Sequence, residues 1–185
     1  MARRKPTDKI PGTSEFIITV FGSSKVEDFD PEYQKACELG RLLAESGYTL
    51  CNGGYGGIME ASARGAKEAG GRAVGITADE LCREANPWIT EQRRVPTWRE
   101  RLFALIDTGC AYVVCDGGTG TLVELFVVWE MLSKRLFKTP KPILILGGHV
   151  SNLAAYVRKM PQVISSPHLF LVKNPIEAVM LLKKY

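Results

Sequence analysis

Residues 111–124 read AYVVCDGGTGTLVE, an apolar run followed by a glycine-rich turn and the start of a long apolar-periodic segment. The run is typical of a short buried strand, and the segment from about residue 120 is typical of a helix. Glycines let a turn bend sharply and approach an anion, while the first N–H groups of a helix are unpaired. We therefore predict a phosphate-binding turn, with Glu124 in about the first helical turn beside the bound group.

Strand-like and helix-like segments alternate along the rest of the chain. The predicted strands cover residues 16–21, 48–51, 73–76, 111–115, 143–146 and 169–172. The predicted helices run from Pro31 towards Gly47 and over residues 58–69, 97–106, 120–134, 152–159 and 175–184. Residues 78–96 have no such pattern and are predicted to be irregular. The alternation predicts an α/β fold: a Rossmann-like, doubly wound parallel sheet flanked by helices, in a single domain over residues 15–185.

Composition and charge narrow the function classes. The chain has 185 residues, 45% hydrophobic and 24% charged, as in one soluble globular domain. Of the formal net charge of +4, residues 1–14 carry +3, and we interpret them as a disordered basic tail. The nearly neutral body disfavours a nucleic-acid partner. No apolar run approaches the roughly 20 residues of a membrane span, and no secretory signal is present, so we predict a cytoplasmic protein with no membrane partner.

Cysteine and histidine usage indicates neither a disulfide framework nor a metal site. The five cysteines show no C-x-x-C spacing, and the two histidines, His149 and His168, lie far apart. We expect no metal ion.

Three of the predicted strands end in glycine-rich loops, at residues 22–24, 52–57 and 116–121. In a parallel sheet these strand ends share one edge, where ligands bind. The spacing is not the dinucleotide fingerprint, and a P-loop lysine is absent, so a mononucleotide or sugar-phosphate site remains. The predicted binding residues are Gly22, Ser23, Gly53, Gly54, Met59, Gly117, Gly118, Thr119, Gly120 and Thr121, with Met59 either a contact or a packing residue.

Three motifs, in order along the chain, resemble those of a known family. Residues 53–61, GGYGGIMEA, form the first; Glu100-Arg101 forms the second, with Arg101 lying 23 residues before Glu124; residues 117–124, GGTGTLVE, form the third. Together they resemble the signatures of the LOG (Lonely Guy) family, the cytokinin riboside 5′-monophosphate phosphoribohydrolases formerly labelled lysine decarboxylases.

The resemblance implies hydrolysis of the N-glycosidic bond of a nucleoside 5′-monophosphate, AMP or an N6-modified AMP, to free base and ribose 5-phosphate. It implies Glu124 and Arg101 as catalytic residues, no cofactor, and a homodimer with the active site near the subunit interface. A decarboxylase using pyridoxal phosphate would need a Schiff-base lysine, and no lysine lies in the glycine loops.

Departures from the family pattern keep alternatives open. Asp116 replaces a proline, Val123 replaces the first acid of a frequent Glu-Glu pair, and Glu130 stands where relatives often have threonine. These changes motivate a second hypothesis, a non-catalytic nucleotide- or cofactor-binding sensor or carrier of the same superfamily. Three of the candidate residues also have purely structural interpretations. Glu124 could complement the helix dipole, Arg101 could be a surface residue paired with an acid, and Asp116 could form a turn.

Overall fold

The computed structural model describes residues 16–163 and 166–185. The predicted disordered tail, residues 1–14, lies outside this part of the chain. The described strands are β1 (Ile17–Phe21), β2 (Thr49–Asn52), β3 (Ala73–Ala78), β4 (Glu91–Val95), β5 (Ala111–Val114), β6 (Ile143–Ile145) and β7 (Leu169–Leu171). The α-helices are α1 (Pro31–Glu45), α2 (Ile58–Glu68), α3 (Trp98–Thr108), α4 (Thr119–Ser133), α5 (Gly148–Val157) and α6 (Pro175–Leu182), with a 3-10 helix at Asp79–Leu81.

These strands form one parallel sheet in the order β4-β3-β2-β1-β5-β6-β7, which confirms the predicted fold class. The chain builds outward from β1 to β4 and then returns to place β5 on the other side of β1. The chain therefore leaves β1 and β5 towards opposite sides, and this class of sheet binds ligands at such a topological switch point.

Helices cover both faces of the sheet, and each face has its own apolar core. One core joins the sheet to α1, α2 and α6 through residues such as Leu39, Ala63 and Val179. The other joins it to α3, α4 and α5 through residues such as Leu105, Val128 and Ala154. Strands β2, β3 and β5 are buried along their whole length, as expected of strands covered on both faces.

The prediction of irregular structure over residues 78–96 was wrong at both ends of that segment. Residues 79–81 form the 3-10 helix, and β4 pairs in parallel with β3. The β4 sequence is Glu-Gln-Arg-Arg-Val, and its three central side chains are exposed. It lies at the edge of the sheet, so it needs no alternating apolar face, and periodicity could not detect it.

The capping box predicted at the start of α3 is confirmed by its two hydrogen bonds. The Thr97 hydroxyl accepts a hydrogen bond from the Glu100 backbone N–H at 3.1 Å, and the Glu100 carboxylate accepts one from the Thr97 N–H at 3.0 Å. This capping box fixes the first turn of the helix that carries Arg101.

None of the described helices combines the length and apolar character that a membrane span requires.

Glycines set the packing of α1 against α2. A Cβ atom on Gly65 would overlap the carbonyl of Cys37, and one on Gly40 would overlap the carbonyl of Ser62. The two helices approach each other so closely only because neither position has a side chain. This contact holds α2, whose first residues follow the glycine loop of β2, against the sheet.

We predict that Gly65→Ala lowers the free energy of unfolding by about 1–3 kcal/mol, because the helices must separate to admit the methyl group. Urea denaturation measures the change. Gly148→Ala is the matched control, since a Cβ there lies 3.9 Å from the nearest side-chain atom. Equal stabilities of the two variants would contradict the prediction.

Candidate active site

The three glycine loops meet at the carboxyl edge of the sheet. The loop after β1 lies between the other two and is bonded to both: the Ser23 N–H donates to the Asp116 carbonyl at 3.0 Å, and the Ser23 carbonyl accepts from the Ile58 N–H at 2.8 Å. The three loops therefore converge as the sequence predicted, and the backbone of Ser23 links the other two.

Between the loops lies a cavity of about 530 Å³. Ten of the predicted site residues line it: Gly22, Ser23, Gly53, Met59, Arg101, Gly118, Thr119, Gly120, Thr121 and Glu124. The other two predicted residues, Gly54 and Gly117, lie in the same loops but do not line the cavity. Gly54 has a positive φ of 77° and receives two hydrogen bonds from Asn86, while a Cβ on Gly117 would overlap the Thr121 hydroxyl. Both shape the loops without lining the cavity.

The start of α4 provides an anion cradle. Gly118 is the N-cap and supplies no side chain to satisfy the first N–H groups, and the first turn contains no acidic residue. The backbone N–H groups of Thr119, Gly120 and Thr121 precede the intrahelical hydrogen bonds and carry the positive end of the helix dipole. Because these residues line the cavity, an anion placed there meets donors without any side-chain cation from α4.

Glu124 lies one turn further along α4 than the sequence suggested. It is the sixth residue of the helix, so it does not complement the free N–H groups of the first turn. Its side chain is half-buried and lines the cavity. Burial raises the pKa of Glu124 to about 7, and the nearby positive charge of Arg101 opposes part of that rise. A carboxyl group with such a pKa can hold or release a proton near neutrality.

Arg101 is buried, with only 7% of its surface exposed, so the interpretation as a surface residue was wrong. Its Nε donates to the Ile76 carbonyl at 2.8 Å and its Nη2 donates to the Gly53 carbonyl at 3.0 Å. The guanidinium also stacks on the Tyr55 ring, 5.1 Å from the centroid. Burial lowers the pKa of Arg101, and the charge of Glu124 partly offsets this shift.

Gly53 has a structural reason to be glycine. A Cβ atom there would overlap the Arg101 guanidinium. The first glycine loop therefore makes room for the arginine as well as lining the cavity, and the two motifs depend on each other.

The three departures from the family pattern lie outside the cavity lining. The Asp116 carboxylate accepts hydrogen bonds from the Val150 N–H at 2.8 Å and the His149 N–H at 3.2 Å, so it caps α5. Val123 is 37% exposed on the outer face of α4, and Glu130 forms an ion pair with Lys134 at 2.8 Å. Asp116 therefore stabilises the start of a distant helix, and its side chain does not line the cavity.

The cavity has further lining residues that the sequence analysis missed: Lys25, Tyr55, Leu81, Arg83 and Trp98. The lining thus contains three cationic side chains, Lys25, Arg83 and Arg101, and one carboxylate, Glu124, which suits an anionic ligand. Among residues 16–163 and 166–185, no three His, Cys, Asp or Glu side chains form a metal-binding cluster.

Asn86 attaches the segment after β3 to the site. Its Nδ2 donates to the Tyr55 carbonyl at 2.8 Å and the Gly54 carbonyl at 3.1 Å, and its own N–H donates to the Gly54 carbonyl at 2.8 Å. The sequence contains one feature from which this role of Asn86 could have been predicted. The Asn86-Pro87 pair indicates a turn, and it lies in a polar segment that follows a strand ending at the same edge of the sheet.

These features define a doubly wound α/β protein with a ligand cavity at its topological switch point. The chain belongs to the SLOG cluster4 family, whose model matches residues 15–168. It is 35% identical over 154 residues to the cytokinin riboside 5′-monophosphate phosphoribohydrolase of Mycobacterium tuberculosis, covering 80% of this chain and 81% of that protein. An uncharacterized protein of Archaeoglobus fulgidus is 33% identical over 135 residues, covering 72% and 85%. The resemblance to the LOG family is thereby confirmed.

Solved structures share the architecture. The X-ray structure of TM1055 superposes with a TM-score of 0.76 at 26% identity and covers 92% of this chain and 99% of that one. A molybdenum cofactor binding protein from Rippkaea orientalis superposes with a TM-score of 0.75 at 23% identity, covering 92% and 97%. The second likeness concerns the fold alone.

The raised pKa of Glu124 predicts a pH-dependent stability. Between about pH 4.5, where an ordinary glutamate ionises, and about pH 7, the folded protein keeps a proton that the unfolded chain releases. Ionisation of Glu124 therefore costs the folded state stability as the pH rises through this window. Relative to wild type, Glu124→Gln should gain unfolding free energy from pH 4.5 to 7.5, measured by urea denaturation. A difference that is constant across these pH values would contradict the assigned pKa.

Proposed function

We propose that the protein hydrolyses the N-glycosidic bond of a nucleoside 5′-monophosphate, producing a free base and ribose 5-phosphate. One observation carries the proposal: Glu124 and Arg101 line the same cavity as the uncapped start of α4, with the carboxylate one helical turn beyond the anion cradle. The named activity of the Mycobacterium tuberculosis relative supports it.

The 5′-phosphate binds the N–H groups of residues 119–121, and this remote contact orients the sugar. The bond between C1′ and the base nitrogen then breaks with its electron pair going to the base, which leaves positive charge on the ribosyl ring. The ionised Glu124 stabilises that charge, and the same carboxylate can take the proton of the water that adds to C1′.

Arg101 lines the same cavity as Glu124. Its fixed, permanently charged guanidinium either anchors the substrate or stabilises the electron pair on the departing base. Two backbone carbonyls hold it in place, so little motion is needed during the reaction. The released base takes up one proton and the sugar receives the hydroxyl group, which completes the addition of one water molecule.

The residues that first suggested a sensor or carrier do not support that hypothesis in the structure. Asp116, Val123 and Glu130 suggested it, and none of the three lines the cavity. It becomes one outcome of the activity test.

We further propose a homodimer formed through the outer face of α4. An apolar groove of about 710 Å³ runs along this face, lined mainly by Phe103, Leu122, Val123, Phe126, Val127, Met131 and Leu136. Thr119 lines both this groove and the candidate active site. A second copy covering the groove would therefore stand at the rim of the cavity, which fits an active site near the subunit interface.

Glu124→Gln should fold normally and lose about 10²–10⁴-fold in kcat/KM, because the amide cannot carry negative charge or accept the water proton. The measurement is release of base and ribose 5-phosphate from a panel of nucleoside 5′-monophosphates. Wild-type kcat/KM should rise with pH with its midpoint near pH 7, following the pKa of Glu124, and level off at higher pH.

Glu45→Gln is the control, since it makes the same change at an exposed, ion-paired glutamate of α1 that lines neither the cavity nor the groove along α4. Full turnover by Glu124→Gln would exclude this residue from the chemistry. Saturable binding of a nucleotide that wild type never cleaves would replace the hydrolase with the sensor or carrier.

Val123→Glu should dissociate the dimer, because it places a charge in the apolar groove. Sedimentation velocity measures the change. Ile176→Glu is the control: Ile176 is also an exposed apolar residue, at 54%, but lies on α6 on the other face of the sheet. A wild-type monomer, or equal effects of both substitutions, would contradict an interface at α4.

A further inference from the structure

The order of strands assigns the two ends of the cavity. The anion cradle follows β5, on one side of the central β1, whereas Tyr55 follows β2 and the segment with Leu81 and Arg83 follows β3, on the other side. If the phosphate binds the cradle and the sugar lies beside Glu124, the base extends towards Leu81, Arg83 and Trp98. This assignment rests on the proposed function.

The wall at the base end is one bonded unit. The Glu80 carboxylate accepts a hydrogen bond from the Trp98 backbone N–H at 2.7 Å, which joins the 3-10 helix to the start of α3. Trp98 is 40% exposed, so its ring offers an apolar surface to a flat ligand. The Arg83 guanidinium lies 6.0 Å from the centroid of the Tyr55 ring, whose hydroxyl is bonded to the backbone of Ala78.

The Arg83 and Trp98 side chains at this end can donate hydrogen bonds but cannot accept them, and the Tyr55 hydroxyl, which can do both, is already bonded to the backbone of Ala78. Arg83 has only N–H groups, and the Trp98 indole has a single N–H. Within the described chain, the Arg83 guanidinium has no hydrogen bond or ion pair with the protein, unlike that of Arg101. Its donors are therefore available to a ligand.

An arginine with free donors beside the base discriminates between purines. The edge of guanine or hypoxanthine presents two acceptors, O6 and N7, that match the paired donors of an arginine. Adenine presents N7 together with a 6-amino group, which is itself a donor and faces the arginine without a partner. A substituent on that amino group does not restore the missing acceptor.

We propose that the cavity selects 6-oxopurine nucleoside 5′-monophosphates over those of adenine, with Arg83 reading O6 and N7 and Trp98 stacking on the base. This selection departs from the AMP or N6-modified AMP that the resemblance implied. Arg83 is thus a specificity-determining residue, separate from the groups that act on the glycosidic bond.

The experiment compares kcat/KM for GMP, IMP and AMP in wild type, Arg83→Met and Arg99→Met. Wild type should prefer GMP and IMP over AMP by about tenfold or more, the scale of one arginine pair to a base edge. GMP and IMP should be similar, because both carry O6 and N7. Arg83→Met should lose about tenfold on GMP and IMP and leave AMP within about twofold. Arg99, an exposed arginine of α3 that does not line the cavity, is the matched control.

Equal or faster cleavage of AMP by wild type would overturn the selection and leave the hydrolase intact. Equal losses on all three nucleotides in Arg83→Met would overturn it as well, because they would place Arg83 on the sugar or phosphate. If no nucleotide is cleaved, the proposed function fails, and calorimetric binding of the same three nucleotides decides the selection separately. Tighter binding of GMP and IMP than of AMP would uphold it, and equal binding would overturn it.

Discussion

The buried guanidinium of Arg101 is the interaction on which the rest of the site depends. It is bonded to the carbonyls of Ile76, at the carboxyl half of β3, and Gly53, in the loop after β2. One side chain from α3 therefore fixes two adjacent strand ends and the first glycine loop. The cost of burying the charge is offset by these bonds, by the Tyr55 ring and by the attraction of Glu124. Without it, the loop would lose the partner that its glycine accommodates.

Arg101 and Glu124 line the same cavity, and each changes the proton affinity of the other. Burial favours the neutral form of both groups, so it raises the pKa of Glu124 and lowers the pKa of Arg101, while their mutual attraction acts against both shifts. The result is an acid that titrates near neutrality beside a cation that stays charged. A carboxylate poised in this way can serve a reaction that needs both a stabilised cation and a proton acceptor.

Much of this architecture could be predicted from the sequence because it depends on local patterns. The buried strands are continuous apolar runs, the capping box at Thr97 is spelled out in four residues, and the glycine loops follow strand ends that must share an edge. The depth of Glu124 in its helix, the burial of Arg101 and the direction of the Asp116 carboxylate could not be predicted, since each depends on contacts between distant segments. The same holds for the base end of the cavity, which Arg83 and Trp98 line together and where Glu80 joins the 3-10 helix to α3.

The edge strand β4 has a meaning beyond its place in the sheet. Four of its five side chains are polar or charged, and Glu91 bonds to both Arg72 and Arg93 at 2.6 and 2.8 Å. Another sheet that approached this edge would have to bury or break these pairs, so the charges discourage fibril-like growth by strand addition. The polarity that concealed β4 in the sequence is what keeps the open edge from aggregating. An edge strand with enough apolar residues to be predicted from the sequence would also be apolar enough to pair with a strand of another molecule.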